Sequence, residues 1–389
     1  MGLTVIGGFE FATATEIVFG HGRLAELGRR SRELGESALF VTGAHPERWT
    51  HALSLLSDAG VRSVPFAVAG EPTTALVERG VELARRERVQ LVIGLGGGSA
   101  LDAAKAIAGL SPNPGSPRDY LEVVGRGLAL QKPSLISILV PTTAGTGSEV
   151  TKNAVLTAED QQVKVSLRGL GLLPRLALVD PELTFSVPPA VTAATGLDAL
   201  TQVLEPYTSN ARGPLTDALC LEGLRRGSRS LRRVVADGSD PAAREDLALT
   251  SLFGGLALAN SKLGAVHGFA GPLGGRFSAP HGALCARLLP EVMRANLQAI
   301  RKRRDGELLE RYAVIARIFT SSAAADPEDG ITWVETLVQD LQIPRLSEYG
   351  ATRQDFETLA TQAGRASSMK GNPVELSHAD LVEILERSL

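Results

Sequence analysis

Two histidines, His267 and His281, bracket the glycine-rich stretch "HGFAGPLGGRFSAPH" in a chain that has only six histidines. A second pair of polar residues lies in "TGLDALTQVLEPY", where Asp198 and Gln202 are four residues apart and share one face of a predicted helix. Asp198 has apolar neighbours, so its carboxylate needs a partner, either a metal ion or a cap or hydrogen bond. One carboxylate, one amide and two imidazoles form a plausible donor set for a divalent transition metal, although incidental histidines remain the alternative.

The two cysteines, Cys220 and Cys285, form neither a CxxC pair nor a disulfide framework. The sequence favours buried free thiols for both, and this use of cysteine is typical of a reducing cytoplasm. Cys285 lies four residues after His281, so a place near the histidine site is the alternative for this thiol.

Three consecutive glycines, Gly96 to Gly98, follow a predicted strand in "VIGLGGGSALDAAKA", and a predicted helix begins after them. Such a turn lets backbone N–H groups approach an anion, and a helix N-terminus favours negative charge. Ser99 and Asp102 have the spacing of a capping box. The turn is not the dinucleotide fingerprint G-x-G-x-x-G, so a phosphate site and a plain strand-to-helix turn both stay open.

A second loop, "VPTTAGTGSEVT", follows another buried strand and is dense in small hydroxyl residues. Loops at the carboxyl ends of parallel strands are where α/β sheets bind ligands, whereas an ordinary polar loop is the alternative. Lys164 adds a positive charge if it faces this loop and is otherwise a solvated lysine. The two loops together indicate a ligand site more strongly than either one alone.

The elements that must position these residues alternate between short apolar strands and amphipathic helices as far as about residue 188. Strands are predicted in "FEFATATEIVFG" (a strand or a hairpin), "SALFVTG", "VRSVPFAV", "VQLVIGLGGGS", "SLISILVP", "KNAVLT" and "LALVDPELT". This alternation predicts a parallel sheet covered by helices. From about residue 189 the pattern is helical, so we expect an α/β domain at 1–188 and an all-α domain at 189–389.

Composition excludes several classes of function. Hydrophobic residues make up 44% and charged residues 21% of the chain, and the net charge of -3 lacks the basic excess of a general nucleic-acid binder. No apolar run reaches the ~18–20 residues that span a bilayer, and "MGLTVIGGFEFATATEIVFG" lacks the basic and apolar regions of a signal peptide. We therefore expect a cytoplasmic protein with neither nucleic acid nor membrane as a partner.

In combination and in order, these motifs resemble those of the iron-containing (group III) alcohol dehydrogenase superfamily. The resemblance spans essentially the whole chain and rests on "GGGSALDAAKAIA", "PTTAGTGSEVT", "VDPELT", "TGLDALTQVLEPY", "HGFAGPLGGRFSAPHG" and "SSMKGNPVELS". It implies a Rossmann-like nucleotide-binding domain followed by an all-α domain, a dehydroquinate synthase-like architecture with a metal ion in the cleft between the domains. It also implies a homodimer formed through the N-terminal strand region.

The resemblance assigns roles to individual residues of this chain. Asp198, His267 and His281 match metal ligands, and Gln202 stands at the position of the fourth. The two histidines and Asp102, which would lie near the nicotinamide end of the cofactor, are the catalytic candidates. The cofactor-binding candidates are Gly43, Gly97, Gly98, Ser99, Asp102, Thr142, Thr143, Ser148 and Lys164.

Three positions depart from the family pattern. Gln202 stands where the family usually has a histidine ligand, and an amide oxygen is a weaker donor to iron or zinc than imidazole. Gly271 stands where a histidine associated with proton relay is often found. Gly43 stands where an aspartate often binds the adenosine ribose, so repulsion of a 2′-phosphate is missing and both NAD and NADP are expected as cofactors. His45 and Arg48 are close enough in sequence to approach such a phosphate.

The function that the resemblance implies is NAD(P)-dependent interconversion of an alcohol and its aldehyde or ketone by hydride transfer. A divalent metal, iron in the first place and zinc in the second, would act as a Lewis acid. One alternative is a maleylacetate-reductase-like reduction of an oxo acid, for which Arg276 and Lys370 are candidate cationic groups. The other is a catalytically attenuated nucleotide-binding homologue, suggested by Gln202 and Gly271.

Overall fold

The computed structural model describes residues 8–161 and 163–389 of the chain. Its strands are β1 (Glu16–Phe19), β2 (Ser37–Gly43), β3 (Arg62–Val68), β4 (Leu91–Gly96), β5 (Ile136–Pro141), β6 (Asn153–Ala158), β7 (Val163–Arg168) and β8 (Leu176–Val179). Six of these strands form one sheet in the order β1-β8-β5-β4-β2-β3, and every adjacent pair is parallel. Strands β6 and β7 form a separate antiparallel hairpin.

Helices cover both faces of the six-stranded sheet. They are α1 (Leu27–Leu34), α2 (Thr50–Asp58), α3 (Thr74–Arg86), α4 (Gly98–Leu110) and the short α5 (Pro117–Tyr120). All six residues of β4 are buried, as a continuous apolar run in a central parallel strand requires. Successive side chains of β4 alternate between two cores: Val92 joins the core under α3 and α4, whereas Leu91 and Ile93 join the core under α1 and α2.

The second half of the chain is helical from Pro189 onward. Its helices are α6 (Pro189–Thr208), α7 (Pro214–Ala236), α8 (Pro241–Asn260), α9 (Ala265–Arg276), α10 (His281–Arg303), α11 (Gly306–Thr320), α12 (Pro327–Asp340), α13 (Phe356–Arg365) and α14 (His378–Ser388). These helices enclose one large apolar core. The predicted fold class, an α/β part with a parallel sheet followed by a largely all-α part, is confirmed.

Some local predictions are corrected by the structure. The capping box is wrong, because α4 begins at Gly98 with Gly97 as its N-cap, so Ser99 lies inside the helix and Asp102 bonds elsewhere. Of the two N-terminal alternatives the structure has the strand, because β1 pairs in parallel with β8. The segment "KNAVLT" contributes to the β6–β7 hairpin instead of the main sheet. Residues 1–7 of the segment examined for a signal peptide lie outside the described residues.

The helical half packs closely against the loop that follows β5. Gly147 in this loop has a φ of +57°, and a Cβ there would lie 2.5 Å from the carbonyl oxygen of Ser251 and 2.7 Å from the nitrogen of Gly255. No side chain fits at this position, so glycine is required both for the left-handed backbone and for the approach of α8. Within residues 8–161 and 163–389, no helix combines the length and apolar character that crossing a membrane requires.

Candidate metal and cofactor site

Four side chains that can bind a metal ion converge where three helices meet. Asp198 lies in the middle of α6, His267 in the first turn of α9, and His281 and Cys285 in the first two turns of α10. His281 and Cys285 share a face of α10 because they are four residues apart. The four donor atoms lie within 4.8 Å of one another. The structure thus brings together three of the predicted ligands and adds a thiol to them.

Three distances in this group match those between ligand atoms in a tetrahedral metal coordination shell. The Oδ1 atom of Asp198 lies 3.5 Å from Nε2 of His267 and 3.8 Å from Nε2 of His281, and Sγ of Cys285 lies 3.6 Å from the latter nitrogen. A tetrahedral ion with bonds of about 2.0–2.3 Å separates its ligand atoms by about 3.3–3.8 Å. Among the described residues, Asp198 Oδ1 and His267 Nε2 are buried polar atoms with no hydrogen-bond partner, and a bound cation satisfies both. The residues present therefore fit a divalent metal.

Glu205 holds His267 from the side away from this cluster. Its Oε2 lies 2.6 Å from Nδ1 of His267, and its Oε1 accepts a 2.8 Å hydrogen bond from the backbone N–H of Val266. A carboxylate on one ring nitrogen fixes the orientation of the imidazole and leaves Nε2 as the donor to a metal. The sequence analysis missed Glu205, although it lies seven residues after Asp198, two turns along the same face of α6.

The cluster favours positive charge in spite of its burial. The neighbouring Cys285 and Asp198 raise the pKa of His281 to about 9 against the opposing effect of burial. Burial disfavours the charged form of His267, yet Cys285, Glu205 and Asp198 together raise its pKa well above the usual value. Burial also opposes ionisation of Asp198, but the two imidazoles hold the pKa of this carboxyl below its usual range. A pocket with these electrostatics attracts a cation.

Gln202, the predicted fourth ligand, makes a contact to the other half of the chain. It is buried one turn after Asp198 on α6, and its Nε2 donates a 2.7 Å hydrogen bond to the carbonyl of Gly145 in the loop after β5. That bond uses the nitrogen end of the amide, so Oε1 is the atom left for any bond to a metal. Gln202 therefore ties the helix that carries Asp198 to the hydroxyl-rich loop.

The two loops predicted to bind phosphate lie side by side, because β4 and β5 are neighbouring strands. The backbone N–H of Thr142 donates a 2.9 Å hydrogen bond to the carbonyl of Gly96, and the side chain of Thr143 lies beside Gly97. No side-chain hydrogen bond caps α4 at Gly97, so backbone N–H groups at the start of this helix stay available to an anion. This arrangement suits a pyrophosphate.

Asp102, predicted to lie at the nicotinamide end of the cofactor, connects three elements. Its Oδ1 accepts a 2.5 Å hydrogen bond from the hydroxyl of Ser148 and lies 3.0 Å from Nζ of Lys105, while its Oδ2 accepts a 3.0 Å bond from the backbone N–H of Val155. Lys105 is fully buried and also donates to the carbonyl of Ser148 at 2.9 Å. Asp102 thus braces α4 against the hydroxyl-rich loop and β6.

The remaining cofactor candidates lie around these loops. Lys164 on β7 is largely buried and forms a 3.1 Å ion pair with Glu71, so it is not the solvated lysine of the alternative interpretation. Gly43 ends β2 in open space, because a Cβ there meets no heavy atom within 4 Å. Near it, Arg48 donates to the hydroxyl of Ser186 at 3.0 Å. The end of β2 at Gly43 therefore has open space around it, whereas the guanidinium of Arg48 is bonded to Ser186.

Gly271 lies on α9, one turn after His267, at the position where the family often has a relay histidine. A Cβ at Gly271 meets no heavy atom within 4 Å. The fold therefore has space for a side chain here, and the missing imidazole is a property of this sequence that packing does not impose.

Two protein-family models match successive parts of the chain, and known enzymes are similar to most of its length. The family model for iron-containing alcohol dehydrogenase matches residues 14–181, and the model for the C-terminal part of the Fe-containing alcohol dehydrogenase family matches residues 192–389. Long-chain-alcohol dehydrogenase 1 of Geobacillus thermodenitrificans is 42% identical over 329 residues, which are 82% of this chain and 80% of that protein. NAD-dependent methanol dehydrogenase of Bacillus methanolicus is 32% identical over 387 residues, 96% of this chain and 97% of that protein.

A solved structure gives the same result. The crystal structure of a 1,3-propanediol oxidoreductase superposes with a TM-score of 0.92 at 32% identity and covers 98% of this chain and 100% of that one. The family and the enzyme class predicted from the motifs are confirmed. The chain therefore belongs to the iron-containing alcohol dehydrogenase family, whose oxidoreductases interconvert an alcohol and its carbonyl compound with a nicotinamide cofactor and a metal ion.

Proposed function

We propose that this chain is a cytoplasmic NAD(P)-dependent dehydrogenase that interconverts a small alcohol and its aldehyde or ketone between its two halves, 1–188 and 189–389. The observation that carries the proposal is the hydrogen bond from Gln202 to Gly145. It joins the helix that carries Asp198 to the loop beside the glycine turn, so a metal ion and the reactive end of a cofactor would lie close to one another. The two buried free thiols are consistent with a reducing compartment.

In this proposal Asp198, His267 and His281 hold a divalent metal, with Gln202 as the fourth donor predicted from the sequence. When bound, the metal supplies Lewis acidity that polarises the substrate carbonyl and stabilises the alkoxide while hydride moves to or from the cofactor. Glu205 keeps Nε2 of His267 directed at Asp198. The side chain of His281 is 37% exposed, more than the others of the set, so substrate approaches along that side.

The two loops at the carboxyl ends of β4 and β5 would hold the cofactor. The start of α4 would bind its pyrophosphate, and Thr142 and Thr143 would line the path between the loops. Asp102 and Ser148, which are bonded to each other, fix the loop near the nicotinamide, and Lys164 lies near the ribose. The residues that would bind pyrophosphate are Gly97, Gly98 and Ser99.

The cofactor and metal preferences follow from the same residues. Because Gly43 replaces an acidic residue and leaves open space, the enzyme accepts NADP as well as NAD. Iron is the metal that the family implies, with zinc as the second candidate. Since Gly271 provides no imidazole, the alcohol proton leaves by way of water, a cofactor ribose hydroxyl or another side chain.

The two alternatives receive less support. An oxo-acid substrate calls for a free cationic group in the cleft, but the guanidinium of Arg276 is paired with Asp355, and Lys370 is exposed. An attenuated binding protein would have no need of a buried donor cluster with orphaned atoms.

A homodimer is part of the proposal, because β1 lies at a sheet edge and Phe9 and Phe11 before it are exposed. Light scattering of a Phe9→Ser/Phe11→Ser variant would reveal loss of the dimer.

The test of the proposed function combines turnover and metal content. NADH and NADPH oxidation is followed with a panel of aldehydes, ketones and oxo acids, using protein reloaded anaerobically with Fe²⁺ or Zn²⁺. Asp198→Asn should lower kcat/KM by about 100-fold or more together with metal content, whereas the exposed Asp58→Asn should match the unaltered protein. Cofactor binding without turnover on any substrate and with either metal would favour the attenuated homologue.

A further inference from the structure

We propose that Cys285 is a metal ligand in this chain and that it completes, with Asp198, His267 and His281, a thiolate-containing site that selects zinc over iron. This inference rests on the proposed function, because it concerns the same site. In this inference Cys285 replaces Gln202 as the fourth protein donor to the metal. The thiol loses its proton to water when the metal binds, as cysteine ligands do.

The position of Cys285 supports this role. It lies one turn after His281 on α10, and its Sγ is 3.6 Å from Nε2 of that histidine. The expected separation for a sulfur and a nitrogen on one tetrahedral zinc is about 3.5 Å, given bonds of about 2.3 and 2.0–2.1 Å. The Asp198 carboxylate is buried and needs a partner in the interior, and the buried thiol lies in the same cluster of donor atoms.

A second observation is independent of the thiol. The Oδ1 atom of Asp198 and the Nε2 atom of His267 are buried and, within the described part of the chain, have no hydrogen-bond partner. They lie 3.5 Å apart and belong to the same cluster of donor atoms as Cys285 Sγ. An ion among these atoms satisfies the carboxylate and the imidazole and places the thiolate in its coordination shell.

Cys220 provides an internal comparison. It too is a fully buried free cysteine, but it lies on α7 and is not part of the donor cluster. Burial raises the pKa of this thiol, as expected for a cysteine that packs as a small apolar side chain. The two buried cysteines therefore have different surroundings, and only Cys285 lies against imidazole and carboxylate donors.

The donor set also indicates which metal is preferred. Thiolate and imidazole together suit zinc, whereas an oxygen and nitrogen set does not discriminate against iron. The amide nitrogen of Gln202 is bonded to Gly145, so this side chain is held by the backbone. We infer that the loss of imidazole at 202 is offset by the thiolate at 285. Four protein ligands still permit catalysis, because zinc expands to five-coordination when a substrate oxygen binds.

Cobalt provides the direct test, because a cobalt–thiolate bond has a charge-transfer absorption in the near ultraviolet that carboxylate and imidazole bonds lack. Chelator-treated full-length protein is titrated with Co²⁺, and bound cobalt is measured by elemental analysis. We expect about one equivalent of cobalt per chain, with the charge-transfer band. Cys285→Ala should lose the band, Cys285→Ser should lose it as well, and Cys220→Ala should retain it.

The outcomes separate this inference from the proposed function. One equivalent of cobalt bound without the band would overturn the role of Cys285 and leave the other three ligands standing. No bound cobalt in a folded protein would overturn both the inference and the metal-dependent function. The spectrum of the unaltered protein decides the question even if the Cys285 variants fail to fold.

Metal selectivity is a second readout. Under anaerobic competition, the unaltered protein should retain Zn²⁺ over Fe²⁺, and Cys285→Ala should lower the affinity for Zn²⁺ by about 100-fold or more. The double variant Gln202→His/Cys285→Ala has one carboxylate and three imidazoles, so its preference should shift towards iron. Equal zinc affinity in Cys285→Ala and Cys220→Ala would contradict the proposal.

Discussion

Glu149 offers a quantitative test of the electrostatics beneath the cofactor loops. It lies in the short turn Ser148–Val150, is buried, and has Lys105 as a nearby charge. Burial raises the pKa of this carboxyl from its ordinary 4.5 to about 7, although a backbone hydrogen bond and Lys105 oppose the rise. The folded protein therefore keeps a proton on Glu149 in a pH range where the unfolded chain has lost it.

This difference makes stability fall with rising pH. Between about pH 4.5 and pH 7 the folded state binds more protons at this residue than the unfolded state, so the contribution of Glu149 is lost as the pH rises through the folded pKa. The gap between the two pKa values corresponds to about 3 kcal/mol above pH 7. Lys105 keeps its bonds to Asp102 and to the backbone when Glu149 is neutralised, so Glu149→Gln removes the penalty without isolating the lysine.

The assay is urea unfolding of the unaltered protein and of Glu149→Gln at several pH values between about 5 and 8. The free energy of unfolding of the variant relative to the unaltered protein should rise by about 2–3 kcal/mol across this range. The exposed Glu78→Gln is the matched control and should show no such trend. A constant offset reflects only the packing of the new amide. A difference that does not change with pH would refute the assignment of a raised pKa to Glu149.

Three further predictions concern the site. Glu205→Gln removes the carboxylate charge that faces Nδ1 of His267 and should lower metal affinity by about 10–100-fold, measured by competition with a chromophoric chelator. Unchanged affinity would show that Glu205 does not act through this histidine. Gly271→His fills open space with an imidazole and should raise kcat near neutral pH with little change in melting temperature, and a large loss of stability would contradict the space seen at this position. Gly43→Asp should raise the KM for NADPH by about tenfold or more and leave the KM for NADH nearly unchanged, because a carboxylate repels the 2′-phosphate; equal effects on both would place the ribose elsewhere.

The sequence predicts the elements of this fold well, because the strands of a parallel sheet are continuous apolar runs that stand out from amphipathic helices. It does not predict the β6–β7 hairpin as a unit. The sequence of β7, VKVSLR, alternates apolar and polar residues as a half-buried strand does, but the sequence analysis missed this signal, and only the pairing with β6 shows the hairpin. It also misplaces the start of α4. The spacing of Ser99 and Asp102 fits a capping box, but the carboxylate is drawn away by bonds from Ser148 and Val155, which are remote in sequence.

The site residues, too, can be predicted from the sequence only in part. Helical spacing alone places Gln202 beside Asp198 and Cys285 beside His281, so each pair can be predicted from sequence. Which member of each pair turns towards the metal depends on contacts between helices that are far apart in the chain. The structure supplies those contacts, since Gln202 is bonded to Gly145 and Cys285 lies in the donor cluster.

The glutamine at 202 and the cysteine at 285 therefore have one physical interpretation. The buried amide of Gln202 donates a hydrogen bond to the carbonyl of Gly145. A histidine at this position that bound a metal through one ring nitrogen could donate to this carbonyl only through its other ring nitrogen. The bond holds α6 against the cofactor loop whether or not a metal is present. In the proposed site, metal binding then depends on donors from α6, α9 and α10, with Cys285 as the further donor from α10. Loop positioning and metal retention are thereby assigned to different side chains, so Gln202→Ala should loosen cofactor binding more than metal binding, whereas Cys285→Ala should do the reverse.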